Sequence, residues 1–470
     1  MIRRPLALAL AFVLAPSLAS AEDLMQTYEL ARAGDPQFSA AESNRLATRE
    51  GAVQARAAML PQLDGTATLS RSRSEGPSTQ TQINPANGQL TSISGNSDSE
   101  TTSRRYGVDL TQMIYDHSRI TTLRSQKALS VASDYQLEAA GDDLITRTSA
   151  AYFNVLVQLE TLAAAQAAED AAKKQFDYAS KRLEVGLAPI TDVHEAQAQY
   201  ESARASTILT RNAVEDAYQA LAEITGQPVR NLKALPADFQ PALPNSLGVE
   251  EWVQTAIDNN PALQAKEYQL ESAEANVNTA RSGHYPRLYL NGSYVDSATW
   301  GDNTFTSGFG SVTNPVENES RGPQFGITLS VPIFAGGATQ SGVRQALAQR
   351  DVVQDELVQQ RRALERNARN AYQTLVAGIS EVEARRLALV AAQSAYDASN
   401  VGLEVGTRTV LDVLQNQRNL FTAQQNYAQA RYNYLQNRLL LEQAAGTLEI
   451  EDLQDINRLL TVDAESQVDL

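Results

Sequence analysis

Two stretches of this chain, LEVGLAPITDV at 183–193 and LEVGTRTVLDV at 403–413, are nearly the same phrase. Both begin with the same four residues and end in Asp-Val. Gly186 and Gly406 permit a left-handed backbone, while Pro189 and the threonines at 191 and 409 are typical of helix starts. Each phrase therefore predicts a corner at which one helix ends and the next begins.

The repetition extends far beyond the corners. Tyr106-Gly107-Val108 is answered by Phe325-Gly326-Ile327, and Ala151-Tyr152 is answered by Ala371-Tyr372. We therefore predict an internal two-fold sequence repeat. Its parts are a first repeat at 22–229, a Pro-rich linker at 230–248, a second repeat at 249–447 and a C-terminal segment at 448–470.

Long helices flank both corners. From about 118 to 185 and from about 339 to 405 the chain contains no proline, which predicts two helices of about 100 Å at 1.5 Å per residue. After the second corner, apolar residues recur every seven positions, which predicts coiled-coil packing. Tyr427 and Tyr434 belong to this series, so we interpret them as seam packing rather than as a binding stripe.

Between the helices, apolar and small polar residues alternate, which predicts strands with one apolar face. Each pair of strands encloses a segment rich in Ser, Thr, Asn and Gly, at 75–103 and at 296–322, which we predict to be an exposed loop. Four strands cannot close a barrel in lipid, so either the hairpins are soluble or several chains pool their strands. The predicted strands are about 61–74, 105–115, 286–295 and 324–334.

The beginning of the chain predicts an exported protein. Arg3 and Arg4 precede a short apolar run, and Ala19-Ser20-Ala21 fits a cleavage site, so we predict a signal peptide at 1–21. The alternative is an uncleaved membrane anchor, but the run is short and Pro16 interrupts it.

Composition argues against several functions. The 470 residues include no cysteine and carry a formal net charge of −16, which makes the chain a poor partner for nucleic acid. The three histidines are scattered, and neither a G-x-S-x-G motif nor a phosphate-binding loop occurs. We predict a protein that is not an enzyme, with no catalytic, cofactor or metal site.

This combination resembles the TolC-type outer-membrane channel proteins of Gram-negative export systems. The doubled corners carry the resemblance together with three further runs. These runs are Arg408-Thr409-Val410-Leu411-Asp412-Val413-Leu414, Ala430-Arg431-Tyr432-Asn433-Tyr434 and Ala445-Gly446-Thr447-Leu448.

The resemblance implies a membrane α+β fold. Three chains form a homotrimer, each gives four strands to one twelve-stranded β-barrel, and the helices continue as a long coiled-coil periplasmic tunnel. The short helices near 24–58 and 250–283, with the linker and the C-terminal segment, form a belt around this tunnel.

The implied function is an outer-membrane exit duct for tripartite efflux, type I secretion or both. Its cargo would be small molecules or unfolded proteins. The implied partners are outer-membrane lipid, a periplasmic adaptor (membrane fusion) protein and an inner-membrane transporter of RND, ABC or MFS type. The alternative is a soluble periplasmic coiled-coil scaffold or adaptor, which would keep the helices but would not need the hairpins.

By resemblance, the corners are the tips at which the tunnel opens and the adaptor docks. Asp412 would line the aperture, where three carboxylates would raise at least one apparent pKa. Gln415 stands where the family often carries a second acid. The implied adaptor-docking residues are Leu183, Val185, Gly186, Leu403, Val405 and Gly406.

A latch between the tips is also implied. Arg408 would pair with Thr191 and Asp192 in the closed state, while Leu403 stands where the family often has a supporting tyrosine. From the residues alone, Asp192 and Asp412 fall in the first turn of a helix, where an acid complements the helix dipole. Thr409-x-x-Asp412 also fits a capping pattern, and capping is compatible with a role in gating.

Overall fold

The structure is a computed structural model that describes residues 23–83, 88–187, 189–243 and 247–467. The predicted signal peptide lies outside the described residues. The chain divides into two compact units. We call them the helical unit, from 23–46, 131–267 and 355–467, and the sheet unit, from 47–130 and 268–354.

Helices make up most of the described chain, and their bounds follow the corners predicted from the sequence. The predicted helices near 24–58 and 250–283 are each divided in two. The helices are α1 (Leu24–Gly34), α2 (Pro36–Ala57), α3 (His117–Glu184), α4 (Ile190–Thr225), α5 (Val249–Asn259), α6 (Pro261–Arg281), α7 (Ala338–Glu404), α8 (Val410–Ala445) and α9 (Ile450–Leu459).

The division of the shorter helices has the same cause in both repeats. Asp35 and Asn260 each precede a proline, which disfavours helical backbone at the preceding residue. Both side chains then cap the following helix, because Asp35 accepts from the Phe38 N–H at 3.0 Å and Asn260 accepts from the Leu263 N–H at 3.1 Å.

The strands lie mainly in one antiparallel sheet with the order β1-β2-β4-β5, so β1 and β5 are its edges. Its register places Leu63 opposite Leu110 and Leu290 opposite Ile327. One face of the sheet therefore carries an exposed apolar band, which includes Leu63 and Ile327. The strands are β1 (Gln62–Ile83), β2 (Leu90–Tyr115), β3 (Lys233–Ala234), β4 (Arg287–Ser307), β5 (Gly310–Ser330) and β6 (Val462–Asp463).

The predicted loops at 75–103 and 296–322 are wrong over most of their length. In the first segment β1 continues as far as Ile83 and β2 begins at Leu90, and in the second Gly308 and Phe309 alone separate β4 from β5. Polar cross-strand pairs support the extension, including Arg73 with Asp98 at 2.9 Å and the hydroxyls of Thr304 and Thr313 at 2.9 Å. The last strand is also shifted, since β5 ends at Ser330 rather than near 334.

The core of the helical unit confirms the predicted seven-residue seam. Val413, Leu420, Tyr427, Tyr434 and Leu441 are all buried along α8. Fully buried Tyr152 and Leu156 of α3 belong to the same core. Among the residues described, no helix combines the length and apolar character needed to cross a membrane.

The linker and the C-terminal segment are fastened to this core. Lys233 and Ala234 pair with Asp463 and Val462 as β3 and β6. The Tyr152 hydroxyl donates to the Lys233 carbonyl and accepts from the Lys233 N–H, both at 2.9 Å. These bonds satisfy the backbone N–H and carbonyl of Lys233, which lies in a linker strand that pairs with the short strand β6.

Candidate functional site

The first tip joins α3 to α4 through a glycine turn. Gly186 has φ +71°, and its N–H donates to the Leu183 carbonyl at 2.9 Å. The Leu187 N–H then reaches back to the Arg182 carbonyl at 2.8 Å. These are the bonds that close a helix end through a left-handed residue, so glycine is required at this position.

The second tip joins α7 to α8 with the same turn. Gly406 has φ +79°, and its N–H donates to the Leu403 carbonyl at 3.1 Å. The Thr407 N–H donates to the Gly402 carbonyl at 2.8 Å. The helices before the two tips, α3 and α7, thus end in the same way, as the repeated phrase predicted.

The tips differ where the next helix begins. Thr409 is the N-cap of α8, and its hydroxyl accepts from the Asp412 N–H at 3.2 Å. The Asp412 carboxylate accepts in return from the Thr409 N–H at 2.9 Å, which completes a capping box. At the matching position of the first tip, Pro189 is the N-cap of α4 and makes no side-chain hydrogen bond.

Proline alters the role of the acid in the first turn. Pro189 has neither an N–H nor a hydroxyl, so Asp192 cannot form the box that Asp412 forms. Thr191, which we expected to help start the helix, lies within the first turn of α4 and is exposed. The carboxylate of Asp192 is partly exposed and is free of this local bond.

Asp412 is held as a carboxylate by its own tip. The Thr409 N–H, followed by the Thr409 hydroxyl, lowers the pKa of Asp412 below its ordinary value, and the nearby charge of Arg408 acts in the same direction. The raised apparent pKa that we predict concerns three such carboxylates in a trimer. Gln415 is exposed one turn further along, where its amide donates to Asn419 at 3.2 Å.

The structure places the predicted latch residues on different tips. Thr191 and Asp192 lie together at the start of α4, whereas Arg408 lies beside Gly402 at the second tip. A Cβ on Gly402 would come within 2.6 Å of the Arg408 Cγ, so the glycine makes room for this side chain. Within the described part of one chain, no ion pair joins Arg408 to Asp192.

The predicted docking residues form an apolar surface at each tip. Val185 and Val405 are 67 % and 68 % exposed, whereas Leu183 and Leu403 are half-buried. Four further exposed apolar residues, which were not predicted from the sequence, extend these surfaces. Their signal was an apolar side chain within five residues of a turn glycine, and they are Leu187, Ile190, Val401 and Leu411.

The chain matches a family of known proteins over most of its length. The outer membrane efflux protein family matches residues 27–227 and 252–447. The chain belongs to this family. The two matched stretches lie within the two repeats predicted from the sequence.

Individual relatives agree with the family match. Outer membrane protein TolC of Vibrio cholerae is 31 % identical over 442 residues, which cover 94 % of each chain. Alkaline protease secretion protein AprF of Pseudomonas aeruginosa is 27 % identical, covering 92 % of this chain and 86 % of AprF. The structure of the Campylobacter jejuni CmeC outer membrane channel matches with a TM-score of 0.72 at 18 % identity, covering 96 % of this chain and 90 % of CmeC.

Membership of the outer membrane efflux protein family confirms the predicted fold class, the outer-membrane location and the role as an exit duct. The soluble scaffold alternative is not favoured. A trimeric channel that works with inner-membrane efflux or secretion machinery follows from the same relatives. These relatives are outer-membrane channels and not enzymes.

Proposed function

We propose that this protein is a gated duct whose two helical tips form both the latch and the adaptor-docking surface. The observation that carries the proposal is the doubled tip, in which two matching turns present exposed apolar residues but cap the next helix differently.

The sheet supports assembly into a homotrimer. In the described sheet, β1 and β5 are edge strands, and the apolar band beside them is exposed in a single chain. Unpaired backbone groups are costly in lipid, so pairing β5 of one copy with β1 of the next removes every edge. Three copies then close a barrel of twelve strands within outer-membrane lipid.

The latch that we propose acts between the tips. Arg408 donates to the carboxylate of Asp192, with Thr191 beside it, and so holds neighbouring helix pairs together in the closed state. Pro189 favours this role because it leaves Asp192 out of a capping box. A guanidinium–carboxylate pair is directional, and an exposed pair costs little to break.

The aperture that we propose is a ring of Asp412 from three copies. The capping box fixes the direction of each carboxylate and lowers its pKa, so the ring attracts cations. Gln415 adds a polar but uncharged position beside it. Cation selectivity therefore depends on one acidic ring rather than two.

The docking partner that we propose is a periplasmic adaptor. Leu183, Val185 and Gly186 at one tip match Leu403, Val405 and Gly406 at the other, so six similar surfaces form a ring in the trimer. Exposed valines at a turn offer an apolar anchor for a partner. An inner-membrane transporter of RND, ABC or MFS type supplies the energy.

The cargo that we propose for the duct is small molecules, unfolded proteins or both. The matched family is named for efflux, whereas the name of AprF assigns that relative to secretion of an alkaline protease. The chain spans nearly the whole length of both kinds of relative, which supports either use.

Single-channel recording in planar bilayers tests the latch. We expect Arg408→Ser and Asp192→Ala each to raise conductance several-fold, because either change removes one partner of the same ion pair. The double variant should add little to either single variant.

Arg204→Ser is a matched control. Arg204 is an exposed arginine of α4, and its ion pair with Glu201 is weak because the two side chains are 3.7 Å apart. The conductance of the Arg204→Ser channel should equal that of the unmodified channel. Unchanged conductance in both latch variants would show that the two side chains do not hold the closed state.

A further inference from the structure

The apolar band of the sheet is bordered by tyrosines. Residues paired across neighbouring strands lie on the same face, so the register defines the face that carries the band. Toward the hairpin turns, the last residue of this face before a charged one is Tyr106 on β2 and Tyr294 on β4. Both are exposed, at 53 % and 50 %. Aromatic residues at the limit of an apolar band are typical of the membrane–water interface of a β-barrel.

This tyrosine border faces the cell exterior. β2 ends at Tyr115 just before α3, and β5 ends at Ser330 before α7, so the strands join the helices at the opposite end of the band. The helical part of an outer membrane efflux protein lies in the periplasm. The border is therefore the external limit of the band.

One charged residue on each strand follows the band directly on this external side. Each is the first charged residue of the band's face as the strand runs outward, and three of the four are exposed arginines. We call these four residues the boundary row, and they are Arg71 of β1, Arg104 of β2, Asp296 of β4 and Arg321 of β5. Lipid keeps the band at one height around a barrel, so the boundary row lies at one level.

The register agrees with such a level. Arg104 is opposite Leu69, which is two residues nearer the band than Arg71. Asp296 is opposite Tyr106, which is again two residues nearer the band than Arg104. Strands of a barrel are tilted by about 35–45° to its axis, so residues at one height are displaced in this way from strand to strand.

The arginines of the boundary row have hydrogen-bond donors to spare. In the described part of one chain, neither Arg104 nor Arg321 forms an ion pair. The Arg104 guanidinium carbon lies 5.6 Å from the centre of the Tyr106 ring, which holds the charge beside the band. Arg71 donates to Glu100 through Nη2. A guanidinium has five N–H donors, so Arg71 can bind a second acceptor.

The order of strands in the proposed barrel brings the three arginines together. Within one chain, Asp296 lies between Arg104 and Arg321, because β4 separates β2 from β5. When β5 pairs with β1 of the next copy, Arg321 becomes the neighbour of that copy's Arg71 and Arg104. Neighbouring strands are about 5 Å apart, so three long side chains can converge on one anionic group. This cluster rests on the proposed function, because it exists only in the closed homotrimer.

Beyond the boundary row, the same face of the sheet is mainly acidic. The one further arginine, Arg73, already pairs with Asp98 at 2.9 Å. A soluble polyanion would therefore meet repulsion first. A lipid headgroup, anchored by acyl chains on the band, instead reaches the level of the arginines. The acidic residues of this face include Glu100, Asp302, Glu317 and Glu319.

We propose that the boundary row binds the phosphate group of an outer-leaflet lipid at each subunit boundary of the trimer. Guanidinium groups bind phosphate through paired, charge-assisted N–H···O bonds. The apolar band below the row contacts the acyl chains of the same lipid. Phosphorylated glycolipids such as lipid A belong to this class.

Native mass spectrometry of the purified full-length trimer tests the proposal. The probes are lipid A, which carries phosphate groups, and its enzymatically dephosphorylated form, which keeps the same sugars and acyl chains. We expect three molecules of lipid A per trimer, one at each subunit boundary. The phosphorylated form should bind about tenfold more tightly, because it alone forms the charge-assisted bonds.

Substitutions within one strand locate the site. Arg104→Gln should weaken binding of lipid A severalfold and leave its dephosphorylated form unchanged, and Arg321→Gln should do the same from the neighbouring copy. Arg105→Gln is the matched control, because Arg105 is an equally charged, exposed residue on the opposite face of β2. The Arg105→Gln trimer should bind both lipids like the unmodified protein.

The mass of the complex separates failure of this proposal from failure of the trimer. Recovery of monomer alone would overturn the proposed assembly and the lipid site with it. An intact trimer that binds both forms of lipid A equally would overturn the lipid site alone. Equal weakening by Arg104→Gln and Arg105→Gln would mean general charge attraction, and displacement of lipid A by inorganic phosphate would mean a site for free anions. Either result would also overturn the assignment to a lipid headgroup.

Discussion

The two tips share a turn but differ in one residue that decides what their acids do. Pro189 and Thr409 occupy the same place in the repeated phrase, three residues before Asp192 and Asp412. With threonine, the acid closes a capping box within its own chain. With proline, it has no such partner, because both the N–H and the hydroxyl are missing.

This difference shows how a duplicated element can acquire two roles. The second tip is stabilised from within, and its carboxylate has a fixed direction, which suits an aperture. The first tip keeps a carboxylate available for another chain segment, which suits a latch. Substitutions of the turn glycines, which both tips share, and then of the cap residues, in which the tips differ, test these two roles.

The largest effect should come from the turn glycines, which the tips share. We expect Gly186→Ala and Gly406→Ala each to destabilise its tip by about 1–2 kcal/mol, because an L-residue is strained at φ +71° and +79°. Hydrogen-exchange mass spectrometry of the tip peptides measures the loss of protection.

Gly378→Ala is the matched control for the glycine prediction. Gly378 lies within α7, and the nearest atom to an added Cβ is 4.0 Å away. The substitution should stabilise α7 locally by up to about 1 kcal/mol, since alanine favours helix. Equal protection of the tip peptides in all three variants would mean that the turns do not depend on left-handed glycine.

The next largest effect should separate the tips. Thr409→Ala removes the hydroxyl of the capping box and should destabilise the start of α8 by about 1 kcal/mol. Thr191→Ala should change the start of α4 by less than about 0.5 kcal/mol, because Thr191 is exposed and is not the cap. Exchange rates of the first-turn amides measure both, and equal losses at the two tips would contradict the comparison.

The sequence predicted these tips well because the turn depends on local chemistry. Gly186 and Gly406 stand where the backbone needs left-handed φ, and the seven-residue series through Tyr427 marks the buried seam. The sequence left open whether Pro189 or Thr191 begins α4, because these two helix-starting signals lie two residues apart. Only the backbone shows which of them begins α4.

The sheet was harder to predict for a physical reason. Alternation of apolar and polar residues appears only where one face is buried or meets lipid. Beyond Leu69 of β1, both faces are polar, so the continuing strand looks like a loop in the sequence. This part of β1 is instead stabilised by its pairing with β2, which includes the ion pair between Arg73 and Asp98. The latch that we propose likewise needs a second copy of the chain, which the sequence of one chain does not reveal.

A smaller effect should follow from giving the first tip the cap of the second. Pro189→Thr recreates the Thr-x-x-Asp pattern with Asp192, so the carboxylate is drawn into a local box. The gain in helix stability should stay below about 1 kcal/mol, because losing proline also frees the unfolded chain. We expect conductance to rise, since the box competes with Arg408.

Pro189→Val is the control for this transplant, because valine has the shape of threonine without its hydroxyl. The valine variant should raise conductance less than the threonine variant. If the two variants conduct equally, Asp192 is not being drawn away from a latch, and the difference between the tips has no consequence for gating.

The smallest effect should be the pH dependence of the second tip. The pKa of Asp412 is lowered in the folded chain, so its contribution to stability is present above the ordinary carboxyl pKa and is lost as pH falls through the lowered value. The chain has no cysteine, so Leu411→Cys provides one unique site for a spin label in the first turn of α8. The label should become more mobile only in acid, and in Asp412→Ala it should be mobile throughout. A label at Thr191→Cys, the matching position, should not respond to Asp192→Ala. A response there as large as at Leu411→Cys would mean that both tips use their acids as caps, with or without the proline.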